Sequence, residues 1–300
     1  MPSEPDLTLP AGQGGVAVAR EPLEVWVIAP RAPGVGARVR EVWKYRRLLR
    51  FFAARALQKM YRRTVLGRFW LIIRPLAPLL VATLIFGNVL SIQTGIPFPL
   101  FFITGMTCWS LFTKTLQWVT RSLELNRKVL KRLYFPRLIL PVSMTAPAWL
   151  ELLLFLAFMI GVGVYYSLRD GVSYFIWSPR LFVAPMALLL SCLFALGIGL
   201  WTSVLGAGAR DVRFTLNYVL DAWLYFTPVI YPISFVPEEW HWLLALNPMA
   251  TLVEAFKWST LGLGRLDLPS VAVSLGIIAA TLGGGLWYFN RAEAASIDKL

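Results

Sequence analysis

The sequence predicts an all-α membrane protein of six transmembrane helices, with an amino-terminal amphipathic interface helix and short re-entrant helices before the last span. Three observations carry that expectation. Of 300 residues, 57% are hydrophobic and only 15% charged, and mean hydropathy is +0.63. Apolar stretches of about 20 residues, the length a helix rising about 1.5 Å per residue needs to cross a bilayer, recur at about 70–90, 98–119, 138–166, 181–205, 214–233 and 268–289. Ten-residue alternating segments, the mark of a membrane β-barrel, do not occur.

Before the first span the composition changes twice. Residues 1–37 are rich in Pro, Gly and Ala, with one short apolar stretch, VWVIA, at 25–29; such a segment buries too little apolar surface to fold and predicts a disordered arm. It lacks the basic-then-apolar pattern of a cleaved leader, so no cleavage is expected. Residues 38–66 predict an interface helix. Val42, Tyr45, Leu49, Phe52, Ala56 and Met60 recur at steps of three and four, while Arg46, Arg47, Arg50, Arg62 and Arg63 crowd the remaining surface. Such a helix lies flat, apolar face in lipid and basic face on phosphates; a solvated basic arm is the plainer alternative. Residues 67–300 form the membrane domain. Its third stretch is long enough to tilt or bend, and 20 prolines and 22 glycines, several inside the spans, predict kinked or closely paired helices.

Between the second and third spans, NRKVLKRLYFPRLILP at 126–141 packs five basic residues and two prolines. It predicts a short helix over about 122–133, stopped by Pro136. After the fifth span two amphipathic pieces follow, about 237–246 and 249–261, separated by Asn247-Pro248 and too short to cross. Glu238 and Glu239 suit a first helical turn, and Pro248 opens the second piece as a first-turn proline does. With Trp240 and Trp242, these pieces predict re-entrant helices forming an external gate at 237–261.

Lysine and arginine concentrate before the first span, in the 120–137 loop, at 206–213 and in the tail; only Arg169, Arg180, Lys257 and Arg265 fall on the other side, and Lys114 sits near the inner end of the second span, within snorkelling reach of the interface. Positive flanks stay cytoplasmic, which places both termini inside. The net charge of +13 is thereby accounted for by anionic lipid and sidedness, with no nucleic acid required. Cys108 and Cys192 lie in apolar spans without CxxC spacing and read as buried free thiols. The lone His241 has no neighbour with which to share a metal, so no metal site is expected.

YRRTVLGRFWLIIRPL at 61–76, LYFPRLILP at 133–141, ARDVRF at 209–214, and FTPVIYP followed by VPEEWHWLLALNPM at 226–249 together resemble, in order, the signatures of the type-two ABC exporter permeases. Within that family the pattern is closest to the membrane subunits that export O-antigen, teichoic-acid or capsule polysaccharides, O-antigen first. The resemblance implies a homodimer of six-span subunits in the bacterial inner membrane, each bound to a separate cytoplasmic ABC ATPase and moving a lipid-linked polysaccharide outward. It makes the 122–133 helix the coupling element, with Asn126, Arg127, Lys128, Leu130, Lys131, Arg132 and Tyr134 meeting the ATPase. ATP and magnesium then belong to the partner, with no cofactor on this chain. The residues agree in two respects: no GxxxxGK[ST] occurs and no glycine precedes a lysine, and the 122–133 helix offers a docking surface in which Arg127, Lys128, Lys131 and Arg132 meet a groove while Leu130, Leu133 and Tyr134 wedge into it. Sidedness bias alone is the plainer reason for a basic loop.

A sugar polymer presents C–H faces that stack on aromatic rings, so an aromatic-lined path suits it. Phe102, Trp109 and Phe112 on the second span, and Phe214, Tyr218, Asp221 and Tyr225 on the fifth, are the candidate lining, with ordinary packing or interfacial belts as the plainer role. Glu151 and Asp221 are ionisable at mid-span and therefore functional candidates, although Glu151 also has Lys114 as a simple partner. Arg74 beside Pro75, and Arg210, Asp211 and Arg213, are candidates for the inner mouth or a lipid phosphate; snorkelling and a local ion pair are their alternatives. Two other classes stay open: a proton-coupled secondary transporter using Glu151 and Asp221, and an intramembrane transferase acting on polyprenyl-linked sugars.

Overall fold

The computed structural model describes residues 43–61, 69–130, 135–209 and 211–295. The arm at 1–37 and the sites expected at Arg62, Arg63, Lys131, Arg132, Leu133, Tyr134 and Arg210 lie outside them. Among the described residues there is no strand. We number the helices α1 Arg46–Tyr61, α2 Trp70–Ala82, α3 Phe98–Thr120, α4 Ser122–Leu125, α5 Arg127–Leu130, α6 Ile139–Ser143, α7 Ala146–Asp170, α8 Val183–Gly208, α9 Asp211–Tyr225, α10 His241–Ala245, α11 Pro248–Leu261 and α12 Leu268–Ala295.

Among the described residues, four stretches are long and apolar enough to cross a membrane: Ile72–Val89, Ile139–Asp170, Pro179–Gly208 and Leu268–Ala292. The first is α2 with its continuation, a π-helical segment Thr83–Val89. Pro75 and Pro78 inside α2 remove two backbone donors and loosen its ladder, which favours a change of winding further along. Helix α3 is comparably long, but its threonines lower its hydropathy. Their hydroxyls donate to carbonyls one turn back, Thr104 to Leu100 at 2.7 Å, Thr107 to Ile103 at 2.7 Å and Thr120 to Leu116 at 2.8 Å. That satisfaction lets α3 run buried along most of its length at the centre of the bundle.

Several expected elements differ in extent. The third stretch is not one helix: α6 ends at Ser143 and α7 begins at Ala146, because Pro141 and Pro147 both disrupt helical pairing around the junction. The fifth runs over Asp211–Tyr225 rather than 214–233, since Pro228 has no N–H to continue the ladder and 226–231 form turns. The helix expected at 122–133 splits into α4 and α5 about Asn126. The piece expected at 237–246 is a 3-10 turn, Glu238–Trp240, followed by the five-residue α10.

Helix α11 is as the sequence suggests, one residue longer. Asn247 Oδ1 accepts from Met249 N at 3.1 Å as an N-cap, Pro248 occupies the first turn, and Gly262 ends the helix with φ +71. Its residues are mostly buried against α3 and α8, so it belongs to the core and not to an external loop.

Two apolar clusters hold the bundle. The larger joins α3, α7, α8, α9 and α11. Helices α8 and α12 approach through glycine: a Cβ at Gly285 would lie 2.5 Å from Gly197 O, and one at Gly197 would lie 2.8 Å from Leu282 N. Backbones this close are the usual small-residue contact of membrane helices. The second cluster, at the end of the bundle that carries α4 and α5, contains Phe52, Leu123, Phe135, Ile139, Leu200 and Phe289. Phe52, in the middle of the apolar face of α1, is buried there, 5.6 Å from Phe135, and Ala56 one turn on is buried as well. The lipid-facing expectation is therefore corrected for these two: they rest on protein, because α6 and Phe135 offer an apolar seat. Phe51 and Tyr45 remain exposed.

Candidate functional site

The basic segment is built around Asn126. Its side chain is 1% exposed, and Nδ2 donates to Ser122 O at 2.9 Å, while its backbone carbonyl accepts from Val129 N and Leu130 N. It ends α4 and starts α5, so it is an internal hinge, and the contact role expected of it is corrected by burial. Arg127 and Lys128 are exposed; Leu130 is half-buried against the second cluster. Lys59 of α1 donates to Leu125 O at 3.3 Å; partial burial, and then the Arg55 charge, hold its ammonium below the ordinary lysine range. On the opposite flank Arg213 of α9 pairs with Glu124 at 3.0 Å. Arg213 is thus committed to a carboxylate and is not a free phosphate contact. Asp211 is exposed in the first turn of α9, where a negative charge suits the helix dipole.

Deeper in the bundle, Glu151 is 3% exposed and meets Arg74 at 3.2 Å and Lys114 at 3.8 Å. The lysine partner was legible; the arginine one was not. Arg74, read as a phosphate contact, instead spends Nη1 on closing α2 against α7, and Lys114 turns inward instead of snorkelling. Glu151 is engaged by two cations.

Helix α9 has two unlike faces. Phe214, Tyr218, Asp221 and Tyr225, at steps of four, three and four, are all exposed, Tyr218 at 76%. On the other face Trp223 stands edge-on to Trp109 at 6.5 Å, Phe112 at 5.4 Å and Phe194 at 6.0 Å. Trp109 and Phe112 are therefore anchors for α9 rather than lining, and Phe102 stacks on Phe98 at 6.2 Å. All three are buried within the subunit, which corrects their assignment to a polymer path: a sliding chain cannot touch them. Helical spacing placed them on one face but could not say which way that face looks.

At the far end of the bundle Asn247 ties α9 to α11. Besides capping α11, its Oδ1 accepts from Trp223 Nε1 at 3.1 Å, and its Nδ2 donates to Phe226 O at 3.0 Å and Thr227 Oγ1 at 3.2 Å. Pro248 is buried beside it, while Trp240 and Trp242 are exposed. Asn247→Ala removes a cap and strips partners from partly buried donors and acceptors, and should cost about 1–2 kcal/mol. Asn247→Asp keeps the accepted bonds and should lose less; thermal unfolding in detergent orders the three chains, and equal losses would show that the donated bonds alone matter.

Lys257, expected in an outside loop, is the functional-region residue that sequence reasoning missed. Its side chain is fully buried. Nζ donates to Pro228 O, pairs with Glu254 at 3.7 Å and sits 3.6 Å from the Phe101 ring centroid. Gly105 leaves the room: a Cβ there would lie 3.2 Å from Lys257 Cε. The glycine was the only available signal. Cys108 and Cys192 are buried thiols. His241 Nε2 lies 2.9 Å from Val236 O, half-buried.

Residues 47–261 match the family model of the ABC-2 type transporter. The chain is 29% identical over 222 residues to the O-antigen export system permease protein RfbA of Myxococcus xanthus, covering 73% of this chain and 82% of the relative. It is 27% identical over 239 residues to the protein of that name from Klebsiella pneumoniae, covering 78% and 88%. To the polysialic acid transport protein KpsM of Escherichia coli it is 25% identical over 257 residues, covering 81% and 92%.

Proposed function

The chain belongs to the ABC-2 type transporter family, and from that premise we propose that it is the permease subunit of an ATP-driven exporter that moves a lipid-linked polysaccharide, O-antigen first among the candidates, across the bacterial inner membrane. The observation that carries the reading is α9: an exposed aromatic face, Phe214, Tyr218 and Tyr225 with Asp221, on a helix whose base is bonded to the exposed basic segment. Rings with electron-rich faces attract the slightly positive C–H faces of sugars, and one carboxylate among them accepts from hydroxyls without fixing the chain in place. The relatives named for O-antigen export and polysialic acid transport support a polysaccharide cargo.

In this reading the α4–α5 end is cytoplasmic, together with both termini, and Arg127 and Lys128 dock a separate ABC ATPase that holds ATP and magnesium. Six crossings are made by the four apolar stretches together with α3 and α9, the last being about 22 Å long at about 1.5 Å per residue and completed by the turns after Tyr225. A second copy of the chain faces the first across the exposed α9 surface, and Trp240 and Trp242 flank the outer exit. The proton-coupled alternative loses support because Glu151 is already engaged by Arg74 and Lys114.

Co-expression with the cognate ABC ATPase tests the proposal. The wild-type chain should co-purify with the ATPase and show ATP hydrolysis stimulated by lipid-linked glycan, and Arg127→Glu/Lys128→Glu should lower recovery of the ATPase at least tenfold. A wild-type chain that captures no ATPase, or that moves glycan with a proton gradient and no ATP, would overturn it.

A further inference from the structure

Helix α9 is weakly held for a central element. Of its 15 residues only Leu220 is fully buried, and its other fixed points are few. Trp223 wedges into the Trp109, Phe112 and Phe194 rings at one end. Gln117 Nε2 donates to Asn217 Oδ1 at 3.1 Å midway. At the other end stands the 3.0 Å ion pair between Arg213 and Glu124. Glu124 lies on α4, two residues before the Asn126 hinge, and α4 itself is gripped from the far side by Lys59 of α1 through Leu125 O and by Leu123 packing in the Phe52 cluster. The basic segment is therefore clamped between α1 and the foot of α9.

The joint is also incompletely satisfied. Ser122 Oγ, Asn126 Oδ1 and Arg213 Nε are buried without a hydrogen-bond partner among the described residues. An unpaired buried polar atom makes the arrangement seen here less favourable, so an alternative arrangement that finds these atoms partners is not far above it. Elements with two accessible arrangements are the physical basis of transmitted motion.

We propose that the Glu124–Arg213 ion pair is the positioning joint that turns displacement of the α4–α5 segment into a tilt of α9. This rests on the reading of that segment as the ATPase-docking element. Seven residues separate Arg213 from Leu220, about 10 Å of helix. Displacing the Arg213 end by about 2 Å with Leu220 as pivot tilts α9 by about 10°, which moves Phe214 most and Tyr218, two residues from the pivot, far less. The aromatic face is thereby reset from the docking end, and the Trp223 wedge and the Asn247 bonds keep the far end in place. Sequence alone gave no sign of the joint: 89 positions separate the two residues, and Arg213 sits beside Asp211, a nearer carboxylate.

The test uses the permease–ATPase complex reconstituted in lipid, with Glu124→Arg, Arg213→Glu and the two combined. Each single reversal should cut glycan-stimulated hydrolysis, measured per ATPase recovered in the complex, at least fivefold. The combined swap should regain at least half of the stimulation. A second readout follows α9 directly: both native cysteines are buried, so the exposed position Thr215→Cys reports labelling by a maleimide with and without a non-hydrolysable ATP analogue. In the parent the rate should change at least threefold, in either single reversal not at all, and in the swap again. Single variants that stimulate and label as wild type overturn the joint, as does a swap that assembles yet stays uncoupled. Should the swap fail to assemble, Glu124→Gln decides, because it keeps shape and removes charge: retained coupling overturns the proposal and lost coupling with intact assembly supports it. If the wild-type chain captures no ATPase, the permease reading fails first and the joint with it.

Discussion

Lys257→Met should lower the melting temperature of the purified protein by roughly 5–10 °C, corresponding to about 3 kcal/mol. Methionine fills a similar volume, so the loss isolates the charge. In the native chain one ammonium serves three groups from three elements: Glu254 on its own helix, the Pro228 carbonyl in the turn after α9, and the face of Phe101 on α3. Removing it leaves Glu254 buried with no counter-charge and an unpaired carbonyl, and truncating one member of a buried pair is far more costly than replacing both. The double variant Glu254→Gln/Lys257→Met should therefore recover a substantial part of the loss. A single variant as stable as wild type, or a double variant that is worse by the sum of the singles, would show that the lysine is merely tolerated.

Gly285→Ala should be poorly tolerated where Gly283→Ala on the same helix is neutral or slightly stabilising. The first places a methyl group 2.5 Å from the Gly197 carbonyl oxygen, and backbone cannot rotate out of the way as a side chain can. Helices α8 and α12 must then part, at a cost of about 1–3 kcal/mol for overpacking and with weakened stacking of Trp201 on Tyr288, whose rings lie 4.8 Å apart. At Gly283 nothing lies within 4 Å of the added atom, and alanine gains up to about 1 kcal/mol in helix propensity. Size-exclusion profile and thermal unfolding of the two variants, measured side by side, decide it: equal behaviour would mean that the α8–α12 approach does not hold the bundle.

Features set by local chemistry were legible in the sequence. Asn247-Pro248 announced the start of α11, the 214–225 spacing announced one face of α9, and apolar length announced the long helices. What escaped was whatever depends on a distant partner. Arg74 and Glu151 meet across 77 positions, and nothing local to either says so. The basic loop read as one helix because its pattern is helical on both sides of Asn126; the break there goes with the burial of that side chain and its bond to Ser122 O. Lys257 was counted with the outside loops because it lies between the fifth and sixth apolar stretches; its burial depends on one glycine, one carbonyl and one ring from other elements. The aromatics of α3 show the same limit from the other side, since their spacing is helical whether the face meets a polymer or the neighbouring Trp223.

Phe52 and Phe289, near opposite ends of the chain, complete the same apolar cluster. A polypeptide is made and inserted from its amino terminus, so α1 waits through the insertion of every intervening helix before α12 supplies its cover. Closing a loop that spans most of the chain comes late and carries the largest entropic cost. The end of the bundle that carries α4 and α5 is thus finished last, and a chain whose synthesis stops short of α12 presents an incomplete seat for α1.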